Sequence, residues 1–130
     1  MAVVSESRPC IPVLLLDEGQ AESLDALAAS VALFGGDRFE LLYAPDLETL
    51  RQMTDELADL HSDALVVVDA DHDPEPKALL AEAADTGFPL VVLSDGHSDA
   101  IHDHALSVGA AAYLLSALPA QELVARLAAI

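Results

Sequence analysis

"ALVVVDADHDP", residues 64–74, decides how this chain is read. Ala64–Val68 is apolar at every position, the pattern of a strand buried on both faces, and it runs straight into Asp69, Asp71 and Asp73. A strand of that kind suits a parallel sheet with helices on each side. Such sheets gather ligands outside the carboxyl ends of their strands, so the acids fall where this geometry puts chemistry.

The same alternation extends in both directions. "PVLLLD" (12–17) predicts a buried strand closing on Asp17. Leu24, Leu27, Ala28 and Val31 form an i, i+3, i+4, i+7 stripe, which predicts a helix over about residues 20–33, with "FGG" as its stop. "FELLYA" (39–44) is a second strand. In "PDLETLRQMTDELADL" (45–60), Leu47, Leu50, Met53, Leu57 and Leu60 share one predicted helical face, and acids are enriched early, as a helix N-terminus prefers.

"DALVVVD" (63–69) is the third strand, followed by a short, weakly periodic helix over about 75–85. "PLVVLS" (89–94) is the fourth. "SDAIHDHALSVG" predicts a helix with Ser98 as N-cap and Gly109 as stop. "AAYLL" is the fifth strand, and "PAQELVARLAAI" a closing helix with Pro119 suited to its first position. Five βα units without repeat or composition break predict an α/β fold. Its form is a doubly wound, five-stranded parallel sheet in a three-layer sandwich with right-handed crossovers. Residues 11–130 are expected to make this single domain, with 1–10 a short unstructured lead-in.

Composition narrows the partners. The chain of 130 residues is 53% hydrophobic, yet no apolar run approaches the roughly 18 to 20 residues of a membrane span. "MAVVSESRP" lacks the basic and long apolar regions of a signal peptide, so a cytoplasmic protein without membrane attachment is expected. Cys10 is the sole cysteine and cannot form an internal disulfide. With 23 Asp plus Glu against 5 Lys plus Arg, the net charge is −18, a field that repels phosphate backbones and disfavours direct nucleic-acid binding. Lys77 is the only lysine.

In the predicted sheet the ends of the first and third strands are neighbours. Asp17 and Glu18 close the first and Asp69 the third. Three carboxylates crowded together repel one another unless a cation joins them, and an all-oxygen set suits Mg²⁺ or Mn²⁺ rather than zinc. A carboxylate can also act as a nucleophile on phosphorus, giving an acyl phosphate. Acids end strands often in so acidic a chain, so any one of them says little; the set at adjacent strand ends is what points to function. Asp71 and Asp73 fit loop solvation and N-capping before "PEP". His102 and His104 are two apart and do not share a helical face, so with His97 and His72 they read as surface residues rather than a zinc site. No P-loop, dinucleotide fingerprint or Ser-His-Asp pattern occurs.

Taken in order, "VLLLDE", "ALVVVDA", "PLVVLS" and "GAAAYLL" resemble the receiver domain of bacterial response regulators, a CheY-like, flavodoxin-like fold, over about residues 11–130. The resemblance implies that Asp69 accepts a phosphoryl group, with Mg²⁺ held by Asp17, Glu18 and Asp69. Ser94 would hydrogen-bond the phosphoryl oxygen, and Tyr113, at the aromatic switch position, would turn inward. A histidine kinase, phosphotransfer protein or small phosphodonor would supply the group. A downstream effector or output domain would read the surface of the fourth helix, fifth strand and fifth helix. On this reading the chain is not an enzyme.

Three positions depart from the family pattern. Ser116 stands where the family has a lysine, and a hydroxyl does not replace a unit charge in a partly desolvated site. Lys77, at the start of the third helix and on the same edge of the sheet, is the candidate substitute cation. In "DADHDPEP" the proline arrives one position late, at Pro74, and the family glycine is absent; Asp95 follows Ser94 where a small residue is usual. These departures support an alternative, a degenerate receiver serving as a phosphorylation-independent interaction module or homodimer. A small α/β hydrolase with a carboxylate-bound metal is the third reading, weakened by the lack of a cap domain and of a lysine at the expected place.

Overall fold

Alternate residues of the central strands enter two separate cores. Val13, Leu15, Leu65, Val67, Val91 and Leu93 join one; Leu14, Leu16, Val66, Val68, Leu90 and Val92 join the other. This is the period-two geometry of a strand applied to sequences that are apolar on both faces. The computed structural model describes residues 11–16, 22–35, 39–60, 64–69, 76–94, 98–115 and 118–129, with the side chains of 22–24, 35, 76 and 77 also outside the description.

The strands are β1 (Ile11–Leu16), β2 (Phe39–Ala44), β3 (Leu65–Asp69), β4 (Leu90–Ser94) and β5 (Ala112–Leu115). They form one parallel sheet in the order β2-β1-β3-β4-β5. The helices are α1 (Glu22–Ser30), α2 (Leu47–Asp59), α3 (Pro76–Ala84), α4 (Asp99–Ser107) and α5 (Ala120–Ala128). Leu27 of α1 and Leu123, Val124 and Leu127 of α5 seal the first core. Leu50 of α2, Leu79, Leu80 and Ala83 of α3, and Ala105 of α4 seal the second. The predicted doubly wound α/β sandwich is the observed fold.

Three local expectations are corrected. The first predicted helix does not run unbroken to residue 33: α1 ends at Ser30 and a π-helical turn, Val31–Gly35, follows. Ser30 Oγ donates to the carbonyl of Ala26 at 2.8 Å, a back-bond within the last turn of α1. On α2, Leu47, Leu50, Met53 and Leu57 pack on the second core as expected, but Leu60 is 74% exposed because it is the C-cap, past the last helical residue. Pro119 is the N-cap of α5, with extended ψ of 142°, and the first helical position belongs to Ala120.

Other end signals are as expected. Ser98 caps α4, its side chain accepting the Ile101 N–H at 3.4 Å. Gly109 ends that helix at φ +83°, in the left-handed region where a β-carbon is strained. At the head of α2, Asp46 accepts the Thr49 N–H at 2.7 Å, and this bond holds its carboxyl below the usual aspartate range. No helix among the described residues is long and apolar enough to cross a membrane.

Candidate functional site at the carboxyl edge of the sheet

All five strands are parallel, so their carboxyl ends share one edge, and β1, β3 and β4 lie side by side there. β3 brings Asp69 to this edge as its last residue, 6% exposed, and β4 brings Ser94, 0% exposed. In register Asp69 faces Leu93, so Ser94 lies one residue further along the neighbouring strand. The local cause is the apolar run itself: Leu65–Val68 and Leu90–Leu93 are buried on both faces, and each carries its terminal polar residue to the rim of the core. A buried carboxylate and a buried hydroxyl are costly unless partnered. Among the described residues no buried side-chain nitrogen or oxygen lacks a hydrogen-bond partner.

β1 ends at Leu16, paired with Val68 of β3, and β5 ends at Leu115, paired with Ser94. Asp17, Glu18 and Ser116 follow these ends in sequence and lie outside the described residues, as do Cys10, Asp71, His72, Asp73, Pro74, Asp95 and His97. Lys77 falls in the first turn of α3, its side chain outside the description. Of the three expected metal ligands only Asp69 is therefore described. Its hard oxygen donors fit Mg²⁺, and among the described residues no group of three or more metal-binding side chains is gathered.

Tyr113 lies two residues before the end of β5 and is half-buried against the second core. Its hydroxyl accepts the backbone N–H of Ser98 at 3.1 Å, tying β5 to the N-cap of α4. The ring of His102, one turn into α4, meets Tyr113 edge-on, with centroids 5.2 Å apart and planes at 67°. Sequence reasoning singled out Tyr113 but missed both partners. They are tertiary contacts between residues 15 and 11 positions away, and no helical or strand periodicity marks them.

No family model matches the chain, and no curated protein matches it in sequence. Solved structures do match. A response regulator of Thermotoga maritima is similar at 20% identity and a TM-score of 0.70, covering 93% of this chain and 97% of that one. The receiver-domain protein (CheY-like) of Methanospirillum hungatei is similar at 18% identity and a TM-score of 0.68, covering 93% of both chains. The chain has the receiver fold. A third structure with that fold is a response regulator of Burkholderia pseudomallei holding a phosphorylated aspartic acid, a calcium ion and citrate. It is similar at 18% identity and a TM-score of 0.64, covering 90% of this chain and 66% of that one. At these identities the likeness is one of backbone.

Proposed function

We propose that this chain is a response-regulator receiver domain that accepts a phosphoryl group on Asp69 in two-component signalling. One observation carries the reading: the buried carboxylate of Asp69 and the buried hydroxyl of Ser94 stand at the ends of adjacent parallel strands, on the edge where open α/β sheets bind ligands. An Asp69 oxygen attacks phosphorus, the bond from phosphorus to the donor nitrogen breaks, and the leaving imidazole keeps its electron pair and takes a proton from solvent. On this reading Ser94 would donate to a phosphoryl oxygen.

Mg²⁺, held by Asp69 with Asp17 and Glu18, would neutralise charge among the crowded oxygens. The donor is a histidine kinase, a phosphotransfer protein or a small phosphodonor, and the response is a population shift at Tyr113 that an effector or output domain reads. Lys77 is the candidate cation in place of the lysine that Ser116 lacks. The site is expected to work inside the cell, where such kinases face the cytoplasm.

The test is an NMR titration with Mg²⁺ and then beryllofluoride, a phosphoryl mimic, on wild type and Asp69→Asn. Shifts at Asp69, Ser94 and Tyr113 in wild type, abolished in Asp69→Asn, are expected. Silence at millimolar Mg²⁺ with beryllofluoride, together with a concentration-dependent dimer, would replace this reading with the phosphorylation-independent module.

A further inference from the structure

We propose that His102 makes the hydrogen bond between Tyr113 and Ser98 sensitive to pH, loosening it as the imidazole gains a proton. Three described contacts link this residue with Tyr113 and the cap of α4. Its ring packs edge-on against Tyr113 at 5.2 Å; the Tyr113 hydroxyl accepts the Ser98 N–H at 3.1 Å; and His102 Nδ1 lies 3.7 Å from Asp103 Oδ1. His102 is also tied to the same cap through its backbone, its N–H donating to the Ser98 carbonyl at 2.9 Å. Ring, cap and strand thus form one closed loop of contacts.

Histidine is the side chain whose charge changes between about pH 5 and 8. The neutral ring offers Tyr113 an edge-to-face contact. The protonated ring adds a cation beside the tyrosine π system, which withdraws electron density from the phenol and makes the Tyr113 oxygen a weaker acceptor for the Ser98 N–H. Other charged groups described on α3, α4 and α5 are mostly acidic. Asp99 and Asp103 on α4 are acidic, and His104 bonds to Ser107 one turn away. Glu82 of α3 and Asp85 just past its end line a groove with Arg51 and Asp55 of α2. On α5, Arg126 is paired with Glu122 at 3.1 Å.

That this bond bears on signalling rests on the receiver reading; the bond's pH response does not. The experiment therefore uses no metal and no phosphodonor. The Ser98 amide is followed by NMR from pH 8.5 to 5.5 in a His97→Gln background, which removes the titrating neighbour in sequence. An upfield shift of the Ser98 proton as pH falls, with the same midpoint as the His102 ring resonances and absent in His102→Phe, is the expected result. If His102→Phe does not fold, His102→Gln provides the non-titrating comparison. A flat Ser98 amide while His102 titrates, or the same inflection in the non-titrating variant, overturns the proposal and leaves the role of Asp69 untouched.

Discussion

The carboxyl edge of the sheet and the groove between α2 and α3 are both acidic, and they are built in opposite ways. At the edge a single described carboxylate, Asp69, is buried at the end of a strand beside a fully buried Ser94. In the groove Asp55 on α2, Glu82 on α3 and Asp85 in the turn after it are exposed, beside Arg51, Thr54 and Thr86. Among the described residues more acids gather in the groove, yet each is exposed and keeps its water, so nothing in its placement calls for a ligand. A carboxylate held at the rim of a core has lost most of its solvent, and that placement rather than the number of charges marks the site.

The difference can be broken at several levels. The largest stability effect is expected beneath the edge. Leu14 is fully buried and pairs with Val66 of β3, so Leu14→Ala should cost about 2–5 kcal/mol in urea denaturation. A loss well under 1 kcal/mol would mean that the strands presenting Asp69 are not held by this core.

Next comes an exposed acid with a structural task. Asp46 caps α2 through Thr49, and its carboxyl is held below the usual range by that bond. The folded value is depressed, so the stabilisation is present above the ordinary aspartate value and disappears as pH falls through the folded one. Asp46→Ala should therefore lower Tm slightly at pH 7, and the gap should narrow as pH falls below the ordinary aspartate range. An undiminished gap in acid would mean that the cap does not act through its charge.

The smallest effect belongs to the groove. Asp55→Asn combined with Glu82→Gln should change stability by no more than about 0.5 kcal/mol and leave the Mg²⁺ and beryllofluoride response intact. Loss of that response in the double variant would move the site from the edge to the groove.

Much of this was legible in the sequence because it depends on local pattern. Runs such as Val66–Val68 and Leu90–Leu93 are apolar on both faces, which fixed parallel pairing and hence the edge where Asp69 and Ser94 stand. Ser98 and Gly109 carried their own helix signals. Leu60 misled because its spacing continues the α2 stripe after the helix has ended, and periodicity does not register a C-cap. The π-helical turn at Val31–Gly35 left no composition cue, and Pro119 could serve either as cap or as first residue until ψ was known. The bonds of Tyr113 to Ser98 and His102 exist only once β5 lies beside α4, so no local rule could supply them.

The strands also differ in what they would forfeit by moving. Every residue of β3 and of β4 is buried, whereas β5 has four residues and only Leu114 among them is fully buried. β5 also has a strand on one side alone, β4, within the sheet. Local opening free energies follow buried apolar contact and ladder pairing, so this edge strand is the cheapest of the three to displace. Tyr113 therefore sits on a soft mount beside a stiff one: Asp69 and Ser94 hold their places on strands that resist distortion, and the residue proposed to change posture rides on the strand with least to lose.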